Sequence, residues 1–424
     1  AGAWCGQNKY LSAIKNAFQN FMPLTIAGAI GVLWCNVLVN DQTGLGLFFK
    51  PIMALDFLNP AFQAVNFCTI SCITVGITLG IAQEIGVWNM GAERAGYIPG
   101  LVGLAAWLSV TNTSHMVEGA KEAFTGIAGN ELGATGLFTG MIIGVLSVEL
   151  FCFFEKQDAL KIKMPEQVPP GVARAFEVLV PATITLIITA CIGSACYNLT
   201  GLYLNDVIKN GIQGPLGAVG ATIPGVMIIY LVIMLFWLVG IHGNNMLSAV
   251  KEALFTPLAL ENVEKFNKGE KPTNIINMYA LQMWGEFGGS GVTIGLVIAI
   301  MIFGKREDNK AIATLSLVPG LFNINETVTF GVPMVLNPIL GIPFVVAPLI
   351  TIIIGYVLTV IGFCPVACLT VPWTTPPIVF GFLACGANVM GAVTQAILIV
   401  VSTVIYVPFL ISYEKYQNKQ AAEA

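Results

Sequence analysis

Long apolar runs, separated by short polar stretches, recur from one end of the chain to the other. A helix needs about 20 consecutive apolar residues to cross the ~30 Å hydrocarbon core of a bilayer, and several runs reach that length. Only 10% of the 424 residues are charged, whereas soluble domains have about 25%. Because the runs are continuous rather than alternating, a transmembrane β-barrel is excluded. The sequence predicts an all-α polytopic membrane protein.

About ten transmembrane helices can be drawn from these runs. They lie at residues 20–40, 66–84, 97–112, 135–154, 176–197, 223–241, 243–258, 284–303, 340–362 and 391–412. Lysine and arginine concentrate in residues 156–174, 305–310 and 415–419, so the positive-inside rule places these segments and both termini in the cytoplasm. Three lysines within residues 261–271 oppose this topology, unless the span at 243–258 is re-entrant.

An amphipathic segment at residues 201–222 divides the chain into two halves of five spans each. We expect residues 1–200 to form an N-terminal domain that opens with an amphipathic helix on the membrane surface, at residues 9–21. Residues 223–424 would form a C-terminal domain. Since the polar interruptions are concentrated in the second half, that half is expected to handle the substrate, and the first half to supply subunit contacts.

One segment of the second half, residues 311–336, is broken at a carboxylate. Its two arms of about ten residues would each reach only about halfway through the hydrocarbon core. Prolines and glycines interrupt it at Pro319, Gly320, Gly331 and Pro333. We expect a re-entrant hairpin whose tip holds Asn323, Asn325 and Glu326 near the middle of the membrane. An ionisable group is costly there, which makes Glu326 a candidate functional residue.

Three other segments of the second half place polar and aromatic residues in apolar surroundings: Trp237–Asn245, Trp284–Gly291 and Pro372–Pro377. The candidate substrate-binding residues are Trp237, His242, Gly243, Asn244, Asn323, Asn325, Glu326, Trp373 and Thr374. Carboxylate, carboxamide and imidazole groups bind hydroxyls as donors and acceptors, and indole rings can cover the apolar faces of pyranose rings. Each residue also has a structural interpretation, such as membrane-interface tryptophans, but the combination favours a sugar site.

The composition indicates neither a metal centre nor a disulfide framework. The chain has ten cysteines and two histidines, and no cysteine pair has the spacing of a zinc or redox motif. No basic cluster suits nucleic acid. We therefore expect no metal and no cofactor.

The motifs resemble those of the membrane-embedded IIC component of the bacterial phosphotransferase system, in its lactose, cellobiose and N,N′-diacetylchitobiose branch. The matching segments are Ala13–Phe18, Met22–Ala29, Gly240–Gly243, Gly288–Gly291, Asn323–Glu326, Phe330–Pro333 and Pro372–Thr374. The resemblance covers essentially the whole chain and is most marked for the diacetylchitobiose permeases.

The resemblance implies a homodimer in the inner membrane of a bacterium, with a transport domain that moves like an elevator. It also implies that residues matching His242 and Glu326 hold the 6-hydroxyl of a β-linked disaccharide. The phosphocysteine of a separate IIB protein, supplied through enzyme I, HPr and IIA, would phosphorylate that hydroxyl. The chain would then be the translocating subunit, without an independent catalytic centre.

The main alternative is an ion-coupled secondary transporter in which Glu326 is the coupling carboxylate. That hypothesis predicts gradient-dependent uptake of unmodified solute without a phosphoryl donor. A membrane-embedded enzyme with Glu326 and His242 as acid and base is less well supported, because no nucleophile or metal ligands accompany the pair.

Overall fold

The structure is a computed structural model that describes residues 8–41, 45–47, 49–115, 124–165, 167–215, 220–332, 334 and 336–423. Most of these residues are helical, as the apolar runs predict. The described part of the chain also contains a two-stranded antiparallel sheet, in which β1 (Ser114–His115) pairs with β2 (Phe124–Thr125). The residue Pro333 of the predicted hairpin, and residues 216–219 of the predicted linker, lie outside the described ranges.

The described helices fall into two groups along the chain. Up to residue 215 they are α1 (Lys9–Leu33), α2 (Asn59–Cys68), α3 (Ile73–Met90), α4 (Ala92–Ala95), α5 (Ile98–Val110), α6 (Gly129–Leu132), α7 (Ala134–Glu155), α8 (Pro170–Thr200) and α9 (Leu204–Ile208). From residue 220 they are α10 (Ile223–Leu238), α11 (Gly243–Asn267), α12 (Met278–Gly285), α13 (Ile294–Phe303), α14 (Glu307–Leu321), α15 (Glu326–Gly331), α16 (Gly341–Val360), α17 (Val379–Ala384) and α18 (Val389–Glu423). Short 3₁₀ or π segments lie at Trp34–Leu38, Leu45–Leu47, Lys50–Leu58, Ile70–Cys72, Asp158–Leu160, Lys209–Gln213 and Ser290–Val292.

The chain divides into two compact units. Of the described residues, the first unit contains those up to 28 and those between 64 and 217, and the second contains those between 29 and 63 and those from 218 onward. The second unit thus takes up an early segment, because Val32 packs with Cys368 and Leu369 in one apolar cluster. The functional division between residues 1–200 and 223–424 stays a prediction.

The first unit is built around α3, which packs against α5 and α7. Small residues bring these helices close together: a Cβ at Gly103 would lie 2.3 Å from that of Ala82, and a Cβ at Gly140 would lie 2.2 Å from the hydroxyl of Thr78. Such close approach is typical of helices that associate in membranes, where van der Waals packing replaces the hydrophobic effect.

The first helix joins two segments of the sequence prediction. Helix α1 runs without a break from Lys9 to Leu33, so the amphipathic segment at residues 9–21 continues directly into the apolar run. One face of this segment packs on α3: Ala13 and Ala17 are buried, and Ala17 lies close to Gly80. The predicted position of residues 9–21 on the membrane surface stays a prediction.

Six described helical stretches are long and apolar enough to cross a membrane. They are Lys9–Leu38, Lys50–Met90, Thr135–Glu155, Pro170–Thr200, Gly341–Val360 and Val389–Gln420. The bent pair Met278–Val292 and Ile294–Phe303 would make a seventh span, and α5 and α10 are shorter apolar helices. The lengths of the described helices thus support a multi-span membrane protein without showing the predicted total of ten.

Two helix breaks shape the second unit. Helix α12 ends at Gly285 and the chain bends by 59° before α13 begins, with a glycine-rich turn at residues 288–291 between them. Helix α14 ends at Leu321 and α15 begins at Glu326, which confirms the predicted break. The depth of that break in a membrane stays a prediction.

Candidate functional site

The imidazole of His242 and the carboxylate of Glu326 lie close together in the second unit. Nε2 of His242 is 3.8 Å from Oε1 of Glu326, and the two side chains are 36% and 48% exposed. His242 is the N-cap residue of α11, and its Nδ1 accepts a hydrogen bond of 3.2 Å from the backbone N–H of Asn245. In the neutral imidazole the proton is then on Nε2. The pair can therefore offer one donor and one acceptor to a single hydroxyl group.

The chain reaches His242 through a tight turn that favours glycine. Gly240 has a φ of +79°, and Gly243 is buried at the start of α11. A Cβ at Gly243 would lie 2.0 Å from the carbonyl oxygen of Ile233. Gly243 therefore allows close backbone packing against α10, and its predicted contact with the substrate stays a prediction.

The indole of Trp237 lies behind His242. The two ring centroids are 4.5 Å apart, and the rings of Phe330 and Phe344 lie 6.4 and 6.3 Å from Trp237. Trp237 is only 2% exposed, so a sugar ring has no open indole face to stack on in this conformation. In this conformation Trp237 supports the imidazole, and its predicted contact with a sugar ring stays a prediction. Trp373, by contrast, is 44% exposed.

Asn323 connects three segments around the hairpin tip. Its φ of +62° is in the left-handed region that asparagine tolerates better than most residues. Its side-chain oxygen accepts a hydrogen bond of 2.6 Å from the N–H of Gly288. Its side-chain nitrogen donates to the carbonyl oxygens of Trp373 and Thr375. Both ends of the Asn323 amide are thus bound to backbone, and its predicted contact with a sugar stays a prediction.

Asn325 attaches the hairpin tip to the glycine-rich turn. Its side chain is buried and donates a hydrogen bond of 2.8 Å to the carbonyl oxygen of Ser290. The turn approaches so closely that a Cβ at Gly289, where φ is +86°, would lie 2.8 Å from Cβ of Asn325. The glycines thus allow the turn to pack closely on the hairpin tip. Asn325 has a structural contact there, and its predicted contact with a sugar stays a prediction.

Sequence reasoning missed a buried charged network next to the site. Lys251 and Glu286 form an ion pair, and the hydroxyl of Tyr230 donates a hydrogen bond of 2.6 Å to the same carboxylate oxygen. Lys251 also donates to the side-chain oxygen of Asn244, at 3.3 Å, and Asn244 donates to the hydroxyl of Ser290, at 2.9 Å. The sequence contained an indication of this network, because Lys251 and Glu286 are charged residues inside apolar segments, and such residues are expected to be paired.

The segment that carries Trp373 and Thr374 is held by a side chain of α18. Gln395 is buried, and its oxygen accepts hydrogen bonds of 2.7 and 2.8 Å from the N–H groups of Ile378 and Gly381. Thr374 is half-buried. In the residues that the structure describes, no group of three or more His, Cys, Asp or Glu side chains is arranged to hold a metal ion.

Trp284, the first residue of the polar segment Trp284–Gly291, does not lie at an exposed surface of the second unit. Its side chain is buried, and a Cβ at Gly355 of α16 would lie 2.4 Å from two atoms of its indole ring. Trp284 therefore belongs to the packing between α12 and α16 in the second unit.

Replacing Asn323 by alanine is expected to destabilise the fold by about 2–4 kcal/mol, because three backbone hydrogen bonds at the junction of three segments are lost at about 1 kcal/mol each. Thermal unfolding of the detergent-solubilised variant measures the effect. Asn198→Ala, at an exposed position of α8, is the matched control and should leave the melting temperature unchanged. An equally stable Asn323→Ala variant with weakened sugar binding would instead make Asn323 a ligand.

Comparison with known proteins identifies the family. The model of the family "Phosphotransferase system, EIIC" matches residues 15–348. The chain is 33% identical, over 413 residues, to the oligo-beta-mannoside-specific EIIC component of Bacillus subtilis (strain 168), with 96% of this chain and 90% of that protein covered. It is 30% identical, over an alignment of 474 positions, to the cellobiose-specific EIIC component of Lactococcus lactis subsp. lactis (strain IL1403), with 98% and 96% covered.

A solved structure shares the fold over nearly its whole length. The transporter ChbC, the IIC component from the N,N′-diacetylchitobiose-specific phosphotransferase system, superimposes with a TM-score of 0.90 at 29% identity. The match covers 99% of this chain and 97% of ChbC. These likenesses confirm the resemblance drawn from the motifs: the chain belongs to the EIIC family of the phosphotransferase system.

Proposed function

We propose that this chain binds a β-linked disaccharide and presents its 6-hydroxyl to the phosphocysteine of a IIB protein at the cytoplasmic side of a bacterial inner membrane. Membership of the EIIC family makes the chain a sugar permease component that works with a IIB protein. The observation that carries the proposal is the His242–Glu326 pair, which combines a donor and an acceptor beside a helix break.

The spacing of the pair suits one hydroxyl group. An oxygen atom that forms hydrogen bonds of about 2.8 Å to two atoms can bridge any separation up to about twice that length. The 3.8 Å between Nε2 of His242 and Oε1 of Glu326 is within this limit. The hydroxyl would donate to the carboxylate and accept from the imidazole, so its free lone pair would point away from both.

The transfer itself follows from this placement. The hydroxyl oxygen attacks phosphorus, the new O–P bond forms as the P–S bond of the phosphocysteine breaks, and the hydroxyl proton passes to Glu326. Positioning and electrostatic stabilisation contribute most of the rate in such transfers. The product is an anion, which crosses a hydrocarbon core poorly, so phosphorylation would retain the sugar in the cell.

The proposed substrate is N,N′-diacetylchitobiose, with cellobiose as the nearest competitor. ChbC is named for the first sugar, and a relative with 30% identity is named for the second. In this chain Trp373 is the exposed indole near the hairpin tip, and it would cover one pyranose face. The proposal also includes a homodimer, ten spans with both termini in the cytoplasm, and elevator-type movement of the C-terminal domain, residues 223–424.

Equilibrium binding of purified protein to diacetylchitobiose, cellobiose, lactose and maltose tests the proposal, with and without sodium and between about pH 5 and 8. We expect sodium-independent binding of one β-linked sugar, weakened about tenfold or more in Glu326→Gln, as for a lost hydrogen bond to a charged group. Affinity that needs sodium or follows protonation would instead make Glu326 the coupling group of an ion-driven carrier.

A further inference from the structure

We propose that Lys251 and Glu286 are positioning residues that set the spacing of His242 and Glu326. The inference rests on the proposed function of that pair, since it concerns the geometry in which the 6-hydroxyl is held. Neither Lys251 nor Glu286 would touch the sugar. They would act through Asn244 and the glycine-rich turn, which join the two sides of the site.

The ion pair is built into the second unit. The side chains of Lys251 and Glu286 are only 7% and 17% exposed. A buried ion pair is maintained only when its geometry is good and further hydrogen bonds satisfy the charges. Tyr230 supplies one such bond to Glu286, and the ammonium group of Lys251 also lies 5.5 Å from the centroid of the Tyr230 ring. Several contacts thus hold the two side chains in place.

One branch of the network leads to the imidazole. Lys251 donates to Asn244, whose amide nitrogen donates to the hydroxyl of Ser290. Asn244 lies in the first turn of α11, two residues after His242, which caps that helix. Restraining the Asn244 side chain from both ends therefore restrains the helix start that carries the imidazole.

The other branch leads to the carboxylate. The carbonyl oxygen of Glu286 accepts a hydrogen bond of 2.9 Å from the N–H of Gly289, at the beginning of the glycine-rich turn. The carbonyl oxygen of Ser290 then accepts from Asn325, which precedes Glu326. The hydroxyl of Ser290 thus accepts from Asn244, near His242, and its carbonyl oxygen accepts from Asn325, next to Glu326. The ion pair is connected to the first bond through Lys251 and to the second through the backbone of Glu286.

The test uses variants that separate positioning from folding. Lys251→Met leaves Glu286 as an unpaired buried charge, so a lower melting temperature is expected. The double variant Lys251→Met/Glu286→Gln has no such charge and is expected to recover stability, but it still lacks the Lys251 bond to Asn244. Lys310→Met is the control, because it removes an ion pair with the exposed Glu307 elsewhere in the second unit.

The readout is the ratio of affinities for two sugars: cellobiose or diacetylchitobiose, whichever the binding panel selects, and its 6′-deoxy analogue. Wild-type protein and Lys310→Met should prefer the sugar with the hydroxyl by about tenfold or more. In the double variant we expect this preference to fall to about twofold, while the affinity for the deoxy analogue stays within about threefold of wild type, because only the hydroxyl contact is displaced.

The outcomes separate a failure of this inference from a failure of the proposed function. Equal losses for both sugars in the double variant would mean a general structural role and would overturn the inference. A retained preference in the double variant, together with a lost preference in Glu326→Gln, would overturn the inference alone. A retained preference in Glu326→Gln would overturn the proposed function as well.

Discussion

Glu326→Gln is expected to reduce sugar phosphorylation by about 10²-fold or more while the protein stays folded. Glutamine has nearly the same shape as glutamate, but its amide cannot take the proton from the hydroxyl. Glu326 is 48% exposed, and its carboxylate lies 3.8 Å from the partly exposed imidazole of His242, so removing the charge leaves no buried group uncompensated. The measurement is phosphoryl transfer from purified phospho-IIB to the bound sugar in proteoliposomes.

A matched control is Glu264→Gln, which neutralises a carboxylate of similar exposure, 42%, on α11. Near-normal phosphorylation in Glu326→Gln would contradict the assignment.

Two substitutions of His242 separate its role in transfer from its role as a helix cap, because asparagine is a good N-cap and alanine is not. We expect His242→Asn to keep the helix cap and lose transfer, and His242→Ala to lose transfer and also about 1 kcal/mol of stability.

Gly243→Ala should be among the most damaging substitutions near the site. The added Cβ would lie 2.0 Å from the carbonyl oxygen of Ile233 and 2.7 Å from its carbon. Both are backbone atoms of α10, so the two helices must separate. We expect a loss of about 3 kcal/mol, as for severe overpacking, and a loss of sugar affinity, since the displaced residue directly follows His242.

The control for this variant is Gly171→Ala, because no atom lies within 4 Å of a Cβ at Gly171. It should change stability by less than about 1 kcal/mol. Thermal unfolding and equilibrium sugar binding in detergent measure both variants. A Gly243→Ala protein that melts and binds like wild type would show that α10 and α11 are not in close contact at this turn.

Local sequence patterns were sufficient to predict that the chain is mostly helical and that a helix break precedes Glu326. Charge is sparse and the apolar runs are long, so burying backbone polar groups requires helices. The Gly240–Gly243 and Asn323–Glu326 motifs pointed to His242 and Glu326, which are 84 positions apart but 3.8 Å apart in space. Only the family resemblance predicted that these two residues lie close together, because no periodicity connects segments so distant in sequence.

The roles of the neighbouring side chains could not be predicted locally. Asn323 and Asn325 are polar residues at a helix break, a position equally suited to binding a ligand and to binding backbone. Their partners, at Gly288, Ser290 and Trp373, belong to segments that are distant in sequence. Trp237 likewise could lie at a membrane interface, a sugar site or a buried contact, and its burial depends on α15 and α16.

The sequence by itself determined that this protein is helical, that it suits a membrane, and that a carboxylate stands at a broken helix, because these properties depend on composition and on neighbouring residues. Only the tertiary structure decided which segments the polar side chains connect, because hydrogen-bond partners far apart in sequence meet only when the helices pack. Asn323 and Asn244 bond to the glycine-rich turn in this way. His242 and Glu326 are brought within 3.8 Å of each other and stay partly exposed.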